Sequence, residues 1–392
     1  MKIALIIHKL NIKGGVQRHV LAVGRELKRK GHGVKIYTFV FDKSAVFDAD
    51  TEGAEIVSLQ GYKPLRSSSE IMRENNGAKE LAAMIDKDTE ILNPHDQVCY
   101  KVAYYYKKHI KNIPAVWTMH DMPTKSWFFW RELQFRPDLK MSVLKKAAYL
   151  AIDTLNVKRF IKNMDGILVL DKRDKNWVKE FFGKDAEIIG NGLDILRFPF
   201  TGRALTAGRP INILMQGIFA VHRRFEDGIR ALKILRDKGY DISLTIIGDV
   251  HSDKIYYNMI LALIGEKELG KYVHLAGTVS EEDLLNAYKF HDIFLFPNHL
   301  QSWGLAVFEA MASGMPVMVS KTAGASEILK DGESAILINE LQPQEIAQKI
   351  EILINDPVLY NNLSKNGRAF VENNISWSKL ADKYENNFRK HI

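Results

Sequence analysis

Glu309 falls in the second turn of a helix predicted to open on Gly304, within the run IFLFPNHLQSWGLAVFEAMASGMPVMVSKTAGASE that spans residues 293–327. An ionised carboxylate only accepts hydrogen bonds, and it can take two from a vicinal diol. A helix that opens on glycine leaves its free N–H groups unshielded, a suitable seat for an anion such as a diphosphate. Arg223 and Arg224 stand where another helix pattern begins. A planar guanidinium can clamp a phosphate bidentately. The alternative is a solvated pair of arginines, although a cation at a helix start opposes the helix dipole unless an anion lies nearby. His120 and Asp121 end the strand pattern AVWTMH, and His95 ends the comparable EILNPH. A lone histidine at a strand end is more often structural than catalytic.

The 293–327 run reads as strand (293–296), loop, helix from about Gly304, a glycine stop at Gly314, and strand (317–320). That is a βαβ unit whose loops lie at the carboxyl ends of parallel strands, where α/β proteins place ligands. The same rhythm fills both halves of the chain. KIALIIH, GVKIYTFV, EILNPH, AVWTMH and GILVL are strand patterns in the first half; INILMQGI, SLTIIGD, VHLAGTV, PVMVS and AILIN are strand patterns in the second. The expected fold class is α/β, with two doubly wound Rossmann-like domains. The boundary is expected near 191–201: residues 1–195 form one domain, 196–374 a second, and 375–392 a final helix. Gly14-Gly15 separates the first strand from its helix and lets a substrate approach the backbone closely. No spaced Gly-x-Gly-x-x-Gly occurs, which argues against dinucleotide binding.

The 293–327 run resembles the signature of the family-four retaining GT-B glycosyltransferases. Pro297, Trp303, Gly304, Glu309, Ala310, Met311, Ala312, Gly314, Pro316 and Val317 fall in its register, and Gly14-Gly15-Val16-Gln17-Arg18 matches the family's Gly-Gly-x-x-Arg. The resemblance implies a GT-B fold, two Rossmann-like domains facing a central cleft, with the last helix crossing back to the first domain from Ser376-Trp377. It implies a metal-independent enzyme with no cofactor, using a UDP- or GDP-sugar as substrate and keeping the anomeric configuration. The expected acceptor is a glycan or lipid-linked precursor. Glu309 would fix the ribose, Gln301 would hold the transferred sugar, and His120 would meet it from the acceptor side. Gly14, Gly15, Gly217, Gly248, Thr278, Val279, Ser302, Trp303, Gly304 and Leu305 fall at the family's donor-site positions. Asn191-Gly192 with Asp194 resembles its interdomain turn. Two positions depart from the pattern. Gln301 replaces the first glutamate of the Glu-x7-Glu pair, and Ile218 replaces the arginine of an Arg-x4-Lys pair whose lysine position falls on Arg223. These departures keep open a weak or silent sugar-nucleotide-binding protein; a sugar-nucleotide epimerase on the same scaffold is a further alternative.

Charge is uneven along the chain. Residues 1–200 hold 34 Lys and Arg against 24 Asp and Glu, the rest 21 against 23, and 13 basic residues face 4 acidic ones within 101–162. Such a field attracts an anionic surface. In the same region Trp127-Phe128-Phe129-Trp130 precedes a helical pattern with Leu144, Ala148, Ile152 and Leu155 on one face and Lys145, Lys146, Lys158, Arg159 and Lys162 elsewhere. One reading is an interfacial patch, with Arg18, Trp127, Trp130, Lys145 and Lys146 meeting an acceptor or an anionic membrane. The other is core aromatics beside an ordinary amphipathic helix. No nucleic-acid module signature occurs, so no nucleic-acid partner is expected. One cysteine, Cys99, excludes an internal disulfide, and no apolar run reaches the roughly 18 residues of a membrane span. The expected location is the cytoplasm, with peripheral contact at the inner face of the plasma membrane. Asp48-Ala49-Asp50 is an Asp-x-Asp triplet in a polar run, and no His/Cys cluster has zinc spacing, so no metal site is expected.

Overall fold

The structure is a computed structural model that describes residues 1–46, 51–62, 70–133, 135–136, 140–203, 205 and 209–392. The Asp48-Ala49-Asp50 triplet lies outside the described residues. The chain divides into two compact units, one of Met1–Trp130, Leu139–Gly192 and Trp377–Ile392, the other of Arg131–Asp138 and Leu193–Ser376.

The first unit runs β1 (Lys2–Leu10), α1 (Gly15–Arg29), β2 (Gly33–Phe41), β3 (Ile56–Ser58), α2 (Glu70–Met84), β4 (Ile91–Pro94), α3 (Cys99–His109) and β5 (Val116–Met119). It continues through α4 (Lys125–Leu133, of which residues 131–133 are counted with the second unit), α5 (Val143–Arg159), β6 (Gly166–Val169), α6 (Lys172–Trp177) and β7 (Glu187–Ile188). All pairings are parallel, in the orders β3-β2-β1-β4 and β5-β6-β7. The parallel bridges Leu92↔Ala115 and His95↔Thr118 link the two sheets. The buried run of β1, from Ile3 to Ile7, is what a parallel strand covered on both faces needs. Neighbours of β1 lie on both sides, so the chain reverses direction across the sheet at β1/β4, and the loops after these strands diverge.

The second unit repeats the scheme with β8 (Ile211–Gln216), α7 (Phe225–Asp237), β9 (Ile242–Ile247), α8 (Lys254–Glu266), β10 (Val273–Gly277) and α9 (Glu281–Phe290). Then follow β11 (Ile293–Phe296), α10 (Leu305–Ala312), β12 (Val317–Ser320), β13 (Ile336–Ile338), α11 (Pro343–Asn355) and α12 (Pro357–Asn374). The six strands are parallel in the order β10-β9-β8-β11-β12-β13. The topological switch falls between β8 and β11. Ile213, Met215, Leu244, Ile246, Ile293 and Leu295 centre a core shared with Ile229, Leu232 and Ile350 of the covering helices. The strands expected at 293–296 and 317–320 are present with those bounds.

The last helix, α13 (Trp377–Arg389), belongs to the first unit. It buries Trp377, Leu380, Ala381, Tyr384 and Phe388. Lys30 pairs with both Asp382 and Glu385 at its surface.

Candidate functional site

A loop leaves the carboxyl edge of the second unit's sheet after each of its six strands, and two of them, after β8 and β11, flank the switch point. Gly217 directly follows β8 and Gly248 directly follows β9. A Cβ placed on Gly248 would stand 1.7 Å from the Gly217 carbonyl oxygen, so only glycine permits this approach. Gly217 N donates to Ile247 O at 2.9 Å and Gly248 N to Gly277 O at 2.9 Å, which fixes three strand ends in one row. Thr278 is exposed and Val279 half-buried just beyond, before Ser280 caps α9.

The β11–α10 loop carries the other side. Gly304 is the N-cap of α10 at φ 90°, with no side-chain cap, so the expected bare helix start is present. A Cβ there would lie 3.0 Å from Phe296. Leu300 and Trp303 also have positive φ, at 49° and 34°, a strained backbone for L residues. Ser302 and Trp303 are buried, and Leu305 opens the helix. Glu309 is buried in the second turn, with the Tyr288 hydroxyl donating to its Oε2 at 2.7 Å.

The two arginines part company. Arg224 takes a left-handed conformation, φ 55°, as N-cap of α7, and turns its guanidinium onto the acids that follow. Nε and Nη2 reach Asp227 at 3.1 and 2.8 Å, and Nη1 reaches Glu226 at 2.5 Å. Burial opposes its charge, but Asp227 and Glu226 outweigh burial and hold the pKa above the ordinary arginine value. Glu226 and Asp227 are first-turn helix residues. Arg223 ends a short 3-10 turn, and its guanidinium lies over Gly217, 2.9 Å from where a Cβ would stand. With the Asn298 amide oriented to satisfy both groups, its oxygen accepts from Arg223 Nη1 at 2.7 Å and its nitrogen donates to Arg223 O at 3.2 Å. His299 N donates to His222 O at 2.8 Å. The β8 and β11 loops are therefore stitched together beside Arg223.

Gln301 points its amide nitrogen at Ser302 O, 3.0 Å away, and its backbone carbonyl accepts from Gly324 N at 2.8 Å. Glu340 anchors the loop from behind. It accepts from Ser320 at 2.6 Å and Thr322 at 2.5 Å, and pairs with His299 Nδ1 at 2.8 Å. Burial would raise its pKa, but these hydrogen bonds prevail and hold it down at about 2.

The first unit gathers three histidines at the carboxyl edge of its sheet. His95 follows β4, His120 follows β5, and His19 projects from α1. His95 Nδ1 meets His120 Nε2 at 3.1 Å; His19 pairs with Asn191 Oδ1 and with the Tyr384 hydroxyl, each at 2.8 Å. Burial depresses all three, His19 to about 4 and the other two well below the ordinary histidine value. One ring nitrogen from each lies within 4.8 Å of the others, a grouping the linear spacing does not show. Both nitrogens of His19 are already engaged, so the cluster as built is a hydrogen-bonded network. His19 is the residue that sequence reasoning missed, because its partners lie 172 and 365 residues away. Gly14 is the extended N-cap of α1, Gly15 its first residue, and Arg18 sits half-buried in the first turn. Asn191 also accepts from Gly192 N at 2.9 Å, and a Cβ on Gly192 would strike Trp377 at 2.4 Å.

Among the proposed acceptor residues, Trp127 is buried while Trp130 is half exposed, stacked on it at 5.1 Å. Lys145 and Lys146 are exposed on α5. Leu144 and Leu155 are exposed as well, so α5 is not an ordinary core-packed amphipathic helix. Among the described residues no helix is long and apolar enough to cross a membrane.

Two parallel six- and seven-strand α/β units with ligand loops at their switch points define the GT-B architecture. Comparison with known proteins agrees. The chain matches the "Glycosyltransferase Family 4" family over residues 13–197 and "Glycosyl transferases group 1" over residues 203–370. It belongs to the GT-B glycosyltransferases of the family-four type. It is 31% identical over 167 residues to the capsular polysaccharide biosynthesis glycosyltransferase CapM of Staphylococcus aureus, 41% of this chain and 42% of that protein. It is 22% identical over 401 residues to D-inositol 3-phosphate glycosyltransferase of Corynebacterium diphtheriae, 95% of this chain and 88% of that one. The matches thus span about half or less of CapM and of a mycobacterial glycogen synthase, the latter over 53% of its length. The solved structure of Anabaena HepE in complex with UDP and glucose superposes with a TM-score of 0.77 at 15% identity, covering 100% of both chains.

Proposed function

We propose that this protein is a retaining glycosyltransferase that moves a sugar from a UDP- or GDP-sugar to a hydroxyl of a lipid-linked or cell-surface glycan precursor. The observation that carries the reading is the convergence, at one switch point, of the bare α10 start, the Glu309 carboxylate and the Arg223 guanidinium. The hard step is departure of the nucleoside diphosphate as the sugar gains oxocarbenium character. Cations and amide N–H groups aimed at the departing oxygens stabilise that transition state. Arg223 and the amides around Gln301–Leu305 fill this role without a resident metal or cofactor, and Glu309, oriented by Tyr288, takes the ribose diol. The bond from the anomeric carbon to the diphosphate oxygen breaks. A bond to the acceptor oxygen forms on the same face, and the acceptor's proton passes to the departing phosphate. His120, kept neutral by burial, offers the sugar a hydrogen bond without adding charge. HepE, with UDP and glucose in its solved structure, lends support to the donor class.

The test is a thermal-shift screen of nucleoside diphosphates and sugar nucleotides, because ligand bound by the native state alone raises the melting temperature. Product analysis by NMR, with lipid-phosphate and glycan acceptors, then reads the anomeric configuration. Stabilisation by UDP or GDP and a retained anomer are expected. Isomerised donor without acceptor marks the epimerase, and binding without turnover marks the silent protein; either outcome rejects the proposal.

A further inference from the structure

α5 is an unusual helix. Of its 17 residues the one that is buried is a carboxylate, Asp153. Val143 and Leu144 are more than 80% exposed, and Leu150 and Leu155 more than 60%. A helix normally gains its stability by covering its apolar face, so an apolar helix left bare marks an interaction surface.

Beside it lies a groove of ≈ 760 Å³ between α4, α5 and the α6 region. Its floor is three tryptophans: Trp127 lies 5.1 Å from Trp130 and 4.1 Å from Trp177, centroid to centroid. Leu150 and Phe181 form apolar walls, and both are largely exposed. Asp153 lies in the groove but is engaged at the start of α4, accepting from Lys125 N at 2.9 Å and Ser126 N at 3.0 Å, and from the Ser126 hydroxyl. Lys158 and Lys162 stand on the rim, with Glu180 the remaining acid that lines it. Along α5, Lys145, Lys146, Lys158 and Arg159 face no acid of the helix other than the engaged Asp153. The Trp127 indole N–H is buried and has no hydrogen-bond partner among the described residues.

We propose that this groove seats the hydrocarbon chain of one isoprenoid lipid, whose phosphate or diphosphate is met by Lys158 and Lys162. The aromatic floor and apolar walls suit a chain more than a sugar, which would ask for a ring of polar partners. The lysines select an anionic head, and lysine stems cover apolar surface while their charges stay in water. The assignment of that lipid as the acceptor rests on the function proposed above; the binding itself does not.

Farnesyl diphosphate is the probe, titrated into the full chain and followed by tryptophan emission and calorimetry, with farnesol and inorganic diphosphate as controls. Saturable binding with a tryptophan signal is expected, and inorganic diphosphate alone gives no tryptophan signal. Trp130→Ala and Phe181→Ala each weaken binding tenfold or more. The double variant Lys158→Glu/Lys162→Glu weakens farnesyl diphosphate tenfold or more and farnesol less than twofold. UDP or GDP thermal shifts, measured alongside, report that the variants remain folded. Absence of saturable binding, or equal affinity in folded variants, overturns the proposal. Binding to phosphatidylglycerol vesicles that the same variants abolish, without capture of farnesyl diphosphate, overturns it in favour of a bilayer-docking face. Probe binding in a protein that ignores every nucleotide leaves the groove standing and removes the glycosyltransferase reading.

Discussion

Gly248 and Gly217 meet backbone to backbone at the ends of adjacent strands, with room for no side chain: a Cβ on Gly248 would be 1.7 Å from the Gly217 carbonyl oxygen. The contact sets the spacing of the β8 and β9 loops and lets Arg223 lie across Gly217. Gly248→Ala must push the loops apart. The expected loss is more than about 2 kcal/mol of stability, read as a lower urea midpoint, together with weakened nucleotide binding. Unchanged stability would mean the loops part freely.

Arg223 and Arg224 are adjacent yet their guanidinium groups have different partners, Asn298 for the one and Glu226 with Asp227 for the other. Removing Arg224 leaves Glu226 and Asp227 buried without their cation. Breaking a buried ion pair from one side costs about 3–5 kcal/mol, so Arg224→Ala is expected to lower the melting temperature sharply. Arg223→Ala loses the link to Asn298, a charge-assisted hydrogen bond worth about 1.5–3 kcal/mol at most. Differential scanning calorimetry of the two variants orders them, and equal losses would contradict the division.

The histidine cluster makes stability pH-dependent. Folded His19 titrates at about 4, and His95 and His120 lower than the ordinary value, whereas in the unfolded chain each titrates near the model-peptide 6.5. The unfolded state therefore binds more protons as pH falls below 6.5. Stability is full above that pH and declines down to about 4 for His19, by up to about 1.4 kcal/mol per pH unit for each histidine. His19→Gln and His95→Gln should flatten the slope between pH 6.5 and 5 in urea titrations. An unchanged slope would place the dependence elsewhere.

Gln301 keeps the size of the family's glutamate and loses its charge. Restoring it with Gln301→Glu adds a charge-assisted bond to a donor hydroxyl worth ~1–2 kcal/mol, about tenfold or somewhat more in turnover. The amide's present bond to Ser302 O is lost, so a small decrease in melting temperature accompanies the gain. If neither turnover nor donor preference changes, Gln301 does not touch the sugar.

Much of this was legible in the chain because it is local. The IFLF and VMVS strands, the Gly304 helix start and the place of Glu309 follow from short-range pattern, and the structure reproduces their bounds. The family pattern places its lysine position on Arg223, but nothing in the sequence shows that Arg224 turns its guanidinium back onto Glu226 and Asp227 from a left-handed backbone. Glu340 gave no signal, since its partners His299, Ser320 and Thr322 converge only when β12 and β13 pair. α5 has helical periodicity that fits either a core or an interface, and only the three-dimensional burial of Asp153 alone decides between them.

Isothermal calorimetry of UDP and GDP against the wild type and Arg223→Ala tests the central claim, a diphosphate cradle in the second unit. The account predicts that at least one nucleotide binds below millimolar concentration and that the variant loses tenfold or more in affinity. Silence toward both at millimolar levels, or equal affinity in a folded Arg223→Ala, would contradict it.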